Sequence, residues 1–597
     1  MPIMNIAVAV LVILITGLWA TGGKGRGLFS SFLNTVCVVV AGAIAFAVWE
    51  PLVYGFLLDR VPDMAWGLGL IVPFVVALFV LKIATEKLVP FNMYVGEMTN
   101  FVGGLLFALP AAILSVGIFV IGVNFFRVGP ELLGYRPIKD EAGNLVYDPR
   151  SLWVPVDRIT AAFYEHLSKG AFATASPLWL YQPRVHEQAG MMRVVYKDEE
   201  DNRTVLARNS IGPDDFEVIG RYRVTPSGRK ADELRTDAER PTVAQTVKYT
   251  NGEPPPNDAV IEGFIVQFKP GAKEKSGQVV VGASQVRLVC ERDRTAVPVH
   301  PFAIVAQPEA QSGSMHRFRL DGPDIFVASV GGTATPIFAF EFLVPPDAAP
   351  RELLVRNVRV PMEGELADPA KTKVYAGVAK RDEAIKSLAL FRDVGASVGG
   401  IDEKSLDASG MVTITATGNR YEGLTLSDNL PGRWLINKSD RGGIEIDSEN
   451  RIIGGQHTWE PKQLDNRSLG KLGVSKFGAT RDTVVVQVQL AEKGAQTALG
   501  RACEAADQHQ PPRLIDDQGR PYDPVGFIYD DGKEITIRFR PDQPLKGLDE
   551  LPSPLSRTKR DQTVILIYRV AKGSKITSFV IGNKKLAAFS PPVPTGR

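Results

Sequence analysis

Cysteine is scarce: Cys37, Cys290 and Cys503 are the three in 597 residues. Thiols so few and so far apart make neither a disulfide framework nor a metal cage. Charge of one sign is lacking too. Lys plus Arg number 68 against 66 Asp plus Glu, a net +2, so there is no electrostatic footprint for nucleic acid. The six histidines (His166, His186, His300, His316, His457 and His509) include no pair at zinc-ligand spacing and no His-Glu-x-x-His. No phosphate-binding Gly-x4-Gly-Lys-Ser/Thr and no Gly-x-Ser-x-Gly elbow occurs. Ser556-x-x-Lys559 matches a serine–lysine pattern but sits in the polar loop SPLSRTKR. The glycines of Gly22–Gly27 follow no strand, which argues against a dinucleotide turn. Asp516-Asp517 and Asp530-Asp531 precede glycine and read as hairpin turns, with a calcium site as the alternative. The expectation is a protein with no catalytic residue, no cofactor and no metal site.

Long apolar runs are missing from the last three quarters of the chain. The first quarter holds four: Ile3–Ala20, Phe32–Leu58, Trp66–Ala84 and Phe101–Phe126. Each is about long enough to cross a ~30 Å hydrocarbon core at ~1.5 Å per residue. A polytopic membrane protein with a large water-soluble appendage follows. No Lys or Arg precedes the first run, and no small-x-small site follows Leu18-Trp19-Ala20, so it reads as a retained helix rather than a signal peptide. Lys24 and Arg26 mark the first loop, and Lys82 and Lys87 the third, while the second has only Arg60 between Asp59 and Asp63. The positive-inside rule places loops one and three in the cytoplasm, and both termini and the appendage outside. Arg127, Arg136 and Lys139 argue the other way, but they border a long translocated domain, where the rule loses force.

The spans are almost free of charge. Glu50 (beside Pro51), Asn34 and Asn124 are the intramembrane polar candidates. They read as interfacial snorkelling or interhelical hydrogen bonding, with an ion path as the alternative. Gly103, Gly104 and Gly117 are the candidate helix-packing residues, because close backbone approach is a main attraction between helices in lipid. The first quarter resembles the bacterial colicin V production protein family, with four spans in about 130 residues. The resemblance rests on Gly25-Arg26-Gly27-Leu28 opening the second helix and on Thr99-Asn100-Phe101-Val102-Gly103-Gly104 opening the fourth. The chain departs from the family where Thr99-Asn100 replaces an Asp-Arg pair, Phe107 a glycine and Asn5 an acidic residue. The resemblance implies an inner-membrane protein linked to toxin production or export and envelope upkeep, with no agreed enzymatic activity.

Beyond the spans, 131–190 reads as a connector with an amphipathic helix at Leu152–Leu167. That helix is expected on the membrane surface, with Trp153 at headgroup level, or packed on the next domain. From about Met191 the hydrophobic period becomes two. Short runs punctuated by Gly, Pro and Asp predict a β-sandwich of immunoglobulin type over 191–363. Asp482–Leu490 resembles Asp258–Phe268, about 225 residues earlier, which predicts a second sandwich over 481–597. Between them, 364–480 reads as a linker, a small β unit or an elaborated edge of the second sandwich, with a helix at Lys380–Phe391. The functional expectation is a non-enzymatic envelope protein in the bilayer whose sandwiches bind a protein partner. The alternative is a channel or transporter component, self-associated or not.

Overall fold

A computed structural model describes residues 3–20, 27–89, 93, 95–126, 131–141, 143–194, 196–198, 203–205, 210–226, 247–307, 315–322, 326–393, 401, 403–418, 420–431, 434–464, 472–493, 495–556, 558–559 and 561–596. Four helices long and apolar enough to cross a membrane come first: α1 (Ile3–Ala20), α2 (Leu28–Leu52), α3 (Ala65–Leu88) and α4 (Glu97–Asn124). α2 runs on through a π turn at Val53–Leu57. Pro51, just before it, has no N–H to donate, and a local change of helix type absorbs the loss.

α4 is the central helix. Gly103 faces α2, where a Cβ would lie 2.2 Å from Leu28 Cδ1. Gly104 faces the backbone of Ala20 at 3.2 Å and of Gly27 at 3.4 Å. Gly67 of α3 would place a Cβ 2.4 Å from the Gly122 carbonyl. Gly117 has a different partner from the one expected. There a Cβ would lie 2.0 Å from Thr160 Oγ1 and 2.4 Å from the Val156 carbonyl, so the occupant is α5 (Val156–Ser168).

The amphipathic helix is thus seated in the bundle itself. Its stripe Val156, Thr160, Ala161 and Tyr164 is buried, lying over Gly117 of α4 and Gly42 of α2, where a Cβ would lie 2.0 Å from the Tyr164 hydroxyl. Its other face leaves Ile159 exposed, and Trp153 just ahead is 57% exposed. The rest of 131–194 builds a platform on the same helix ends. It contains the hairpin β1 (Ile138–Glu141) and β2 (Asn144–Tyr147), then α6 (Leu178–Tyr181) and α7 (Val185–Met191). The start of α1 is tied to it: Met4 N–H donates to the Leu133 carbonyl, and Asn5 accepts from Trp153 N–H at 2.7 Å. So α1 begins on the appendage side.

After a short hairpin, β3 (Tyr196–Asp198) and β4 (Arg203–Val205), the first β unit begins. Its strands are β5 (Phe216–Val224), β6 (Val260–Phe268), β7 (Val280–Gly282), β8 (Val286–Arg292), β9 (Thr295–Val299), β10 (Ala303–Ala306), β11 (His316–Arg319), β12 (Phe326–Ala328), β13 (Ile337–Val344), β14 (Ala349–Val355), β15 (Val358–Pro361) and β16 (Lys373–Tyr375). One sheet runs β11-β10-β13-β6-β5-β16 and another β15-β14-β8-β9. Their inner faces share a core of Phe264, Val266, Phe268, Leu288, Phe338, Phe340 and Leu353, and that core continues into Trp49, Trp66 and Phe125 of the bundle. The alternation of β13 fits this: Phe338, Phe340 and Phe342 face in, while Ala339 and Leu343 face out against α8 (Val378–Lys386) and α9 (Ala389–Arg392). The helix expected at Lys380–Phe391 is therefore two short ones, broken at Leu388 with φ 60°.

The second unit uses β17 (Val412–Thr415), β18 (Leu424–Leu426), β19 (Ile436–Asn437), β20 (Ile444–Ile446), β21 (Arg451–Trp459), β22 (Gly473–Val474), β23 (Lys476–Phe477), β24 (Thr483–Glu492), β25 (Ala495–Gln496), β26 (Pro512–Asp516), β27 (Pro521–Tyr522), β28 (Gly526–Asp530), β29 (Ile535–Phe539), β30 (Thr563–Ala571), β31 (Lys575–Ile581) and β32 (Lys584–Pro594). Its sheets run β18-β24-β30-β28-β29-β21-β20 and β17-β32-β31-β26-β27. Segment 364–480 is divided between the two units. β16, α8 and α9 complete the first, while β17, β18, β20 and β21 extend the sheets of the second. Open sheet edges explain this, since unpaired backbone groups favour an added strand. Gly331 N–H donates to Asp482 at 3.1 Å, Arg569 donates to the Ser276 carbonyl at 2.7 Å, and Ala334 N–H donates to the Pro521 carbonyl, all fixing one unit to the other.

Gly117→Leu should lower thermal stability in detergent by about 1–3 kcal/mol, the range for overpacking a fitted site. Gly17→Leu should leave the midpoint unchanged, because a Cβ there meets nothing within 4 Å. Equal shifts in a detergent melting assay would remove the seat assigned to α5.

Candidate functional site

Glu50 lies at the appendage end of α2 and is buried. An unpaired carboxylate there would be expensive to ionise. Its partner lies 309 residues away. Arg359 of β15 donates from Nη2 to Glu50 Oε2 at 3.1 Å and from Nε to Oε1 at 3.4 Å. The same guanidinium donates to Glu352 at 3.0 Å and Ser176 Oγ at 3.3 Å, and stacks 5.5 Å from the Tyr181 ring centre. Planar donors let Arg serve several acceptors at once. Burial opposes the charge of Arg359, but hydrogen bonds and the charges of Glu50 and Glu352 hold its pKa above the ordinary range. Burial pushes Glu352 up to about 7 against the pull of Arg359.

The hairpin that carries Arg359 turns at Arg356 and Asn357, with φ 48° and 69°. Two successive positive values make the tight turn that matches strand twist. The turn is inserted at the membrane junction. The Asn357 carbonyl accepts from the Tyr54 hydroxyl at 3.4 Å, and its side chain accepts from Gln188 Nε2 at 2.9 Å. Arg356 is buried and donates to the carbonyls of Ala272 at 3.0 Å and Val280 at 2.6 Å. Arg287 of β8 donates to Gln188 at 3.1 Å and to the Pro183 carbonyl.

Platform tyrosines bond to helix carbonyls. Tyr164 donates to Val38 at 3.1 Å and Tyr181 to Phe46 at 2.9 Å, the latter one turn before Pro51. Trp49 donates to the Trp66 carbonyl at 2.8 Å, with the two rings 5.5 Å apart. Asn124, at the end of α4, joins another cluster. It donates to the Tyr135 hydroxyl and accepts from Arg193, each at 3.4 Å. Tyr135 in turn donates to Asp157 at 2.7 Å. Burial raises the pKa of Asp157 and Glu187, and takes Glu165 up to about 7 against the Arg184 N–H and the charge of Arg287. It pushes His186 down to about 3, aided by the charge of Arg184. This layer of buried ionisable groups sits between bundle and β unit.

The structure brings Glu50 and Asn124 into this layer and leaves Asn34 buried lower in α2. Gly103 and Gly104 pack at the opposite ends of the helices. Lys82 lies 4.7 Å from the Trp19 ring centre, at the far end of α1, and Lys87 is exposed in the last turn of α3. Lys24 and Arg26 fall outside the described residues. Arg359, Tyr164, Tyr181 and Asp157 carried no motif in the sequence. Only the tyrosines and small residues on facing helices hinted at them. Lys559 bonds Ser553, and Ser556 bonds Thr558. Asp516 is buried and accepts from Arg520, Gln518 N–H and Tyr522 within its own turn. Among the described residues, no three His, Cys, Asp or Glu side chains gather as a metal site.

Removing one partner of a buried pair leaves an uncompensated charge and costs about 3–5 kcal/mol. Arg359→Met should therefore destabilise more than the double variant Glu50→Leu/Arg359→Met in a detergent melting assay. An additive double-variant cycle would refute the pair. The pH dependence has a definite sign. Glu165 and Glu352 bind protons more tightly when folded, between about 4.5 and about 7. In that window the native state carries more protons than the unfolded one, so stability should fall as pH rises from about 5 to 8, by on the order of 1–3 kcal/mol per group. Glu165→Gln/Glu352→Gln should flatten the curve of melting midpoint against pH.

No family model matches the chain, and no curated protein matches it. Among solved structures, it is similar to a vicilin from Corylus avellana (hazelnut) at 11% identity over 53% of this chain and 77% of that one, with a TM-score of 0.07. A likeness at that score carries no argument.

Proposed function

We propose that this chain is a non-enzymatic, multi-pass protein of a bacterial inner membrane. Its helices hold two β units on the extracytoplasmic side for a protein partner. The observation that carries the reading is the ion pair between buried Glu50 and half-buried Arg359, which commits the charge of the bundle to holding the first β unit. A carboxylate serving an ion path needs exchangeable partners. This one is bound to a strand, which favours anchoring over the channel reading.

We read both β units as immunoglobulin-like. The support is strand order: β5-β6-β13-β10 faces β15-β14-β8-β9, and β18-β24-β30-β28 is paired with β32-β31-β26-β27. Each corresponds to the A-B-E-D and G-F-C-C′ arrangement of that fold. The relation of the bundle to the colicin V production family remains part of the proposal. Its support is that the positions carrying the resemblance meet in space: Asn100 Oδ1 accepts the Leu28 N–H at 3.0 Å, and Gly103 packs on Leu28. The extracytoplasmic placement draws on Lys82 and Lys87 lying at the end of the bundle away from the appendage.

Two measurements test the reading. A reporter active only in the cytoplasm, fused after Arg597, should be silent. Purified protein in liposomes should pass protons and small ions no faster than empty liposomes. Flux that Glu50→Gln abolishes would replace anchoring with a path.

A further inference from the structure

The depth at which α5 lies can be counted along its neighbours. Gly104 marks the end of α4 away from the appendage, where it meets Ala20, the last residue of α1. Asn124 marks the other end. α5 crosses between them at Gly117, against Val156 and Thr160, and Thr160 donates to the Ile113 carbonyl at 3.4 Å. At ~1.5 Å rise per residue the crossing lies about 20 Å from Gly104 and about 10 Å short of Asn124. α2 gives the same depth. There Tyr164 covers Gly42, seven residues before Trp49, whose ring centre lies 5.2 Å from that of Phe125 just past α4. Both ends of α5 therefore sit at one level, so the helix runs across the bundle rather than along it. A hydrocarbon core of ~30 Å that starts at Gly104 ends near Asn124 and encloses that level.

The surface of the platform suits such a position. Its described residues expose four large apolar side chains, Leu133, Trp153, Ile159 and Phe172, whereas the described residues from Ser210 to Pro361, in the first β unit, expose none. The connection Gly170-Ala171-Phe172-Ala173-Thr174-Ala175-Ser176 carries no charge. Over 156–182 the exposed charged side chains are Arg158 and Lys169, both cations with long apolar stems. The acids there are withdrawn, Asp157 by burial and Glu165 by accepting the Arg184 N–H. Exposed apolar groups with cations alone make the surface of an interfacial helix, whose apolar face sinks about 5–10 Å below the headgroups while its cations reach back up.

We propose that this outer face of the platform is immersed in the leaflet on the appendage side, with α5 a further membrane element lying in the bilayer plane against the acyl chains. The face continues the apolar surface of α1, where Ile3 and Ile6 are exposed beside the Met4–Leu133 hydrogen bond. The leaflet thereby sets the height of the platform that carries Ser176 and Gln188, the partners of Arg359 and Asn357. The inference rests on the reading of the four helices as membrane spans.

Nitroxide labels on single exposed cysteines test it, in the full chain reconstituted in phosphatidylglycerol-containing liposomes. The native Cys37, Cys290 and Cys503 are buried. Oxygen concentrates among acyl chains, whereas a hydrophilic nickel chelate stays in water. The ratio of oxygen to chelate collisions should be several-fold higher for labels at Ile159→Cys and Phe172→Cys than at Val374→Cys, exposed on β16. Ile13→Cys, at an exposed position within α1, reports on the spans alone. Labels at 159 and 172 as open to the chelate as the label at 374, with that at 13 protected, overturn the immersion of α5 and leave the spans standing. Chelate access at 13 as well overturns both.

Discussion

A carboxylate on a membrane helix has to be neutralised where it stands, and Glu50 sets that requirement for the whole upper half of this molecule. Ionising it alone in an apolar setting would cost several kcal/mol. Arg359 supplies the counter-charge, but only if β15 lies directly over the end of α2. That position brings the Arg356-Asn357 turn against Tyr54 and Gln188, and brings Glu352 into the same charge cluster. The first β unit is therefore not a domain on a tether. Its inner core runs without a break into the aromatic cluster of Trp49, Trp66 and Phe125.

The platform between them answers a second constraint. Backbone at the depth of the membrane surface must find partners within the protein. Short elements such as α6 and α7 cannot provide them all, so long polar side chains fill in: tyrosine hydroxyls on helix carbonyls, and Arg287 on Pro183. Tyrosine suits the role because its ring is content in an apolar wall while its hydroxyl reaches across. The buried acids Asp157, Glu165 and Glu187 belong to the same layer, and their raised pKa values follow from water being shut out.

Much of the architecture could be read from composition alone. Uniformly apolar runs have one physical destination, so the four long helices were legible to within a few residues, and the period-two runs were legible as a mainly β region. The partners were not. Nothing in Val355-Arg356-Asn357-Val358-Arg359-Val360 distinguishes Arg359 from the many solvent-facing arginines of β hairpins. Its role depends on a contact 309 residues away. The seat of α5 was hidden for the same reason. An amphipathic stripe says which face is buried, not against what, and here the answer lay in Gly42 and Gly117, on different helices. Gly117 looked like a residue for span-to-span packing because a glycine's neighbours cannot be read from its own position. The segment 364–480 lacked a pattern of its own because most of its strands extend sheets whose other strands lie outside it.

The correspondence of strand order lets the two β units be compared position by position, and the comparison shows why only one sits on the bundle. Arg359 is the second residue of β15, after the turn Arg356-Asn357. The matching residue after the turn Gly582-Asn583 is Lys585, the second residue of β32. Both are cations at the same place in the same hairpin, and both find a glutamate outside their own hairpin. Arg359 finds Glu50 in a membrane helix; Lys585 finds Glu403, in the segment leading into its own unit. Beyond that pair, β17 runs parallel to β32 and closes the edge that, among the described residues, the first unit leaves open at β15. A sheet edge carrying a cation is thus used once for docking and once for closure. The chemistry of the two positions differs in the expected direction. Arg, with its planar set of donors, serves two carboxylates and a hydroxyl at the junction, whereas Lys, a point charge, suffices for a single carboxylate.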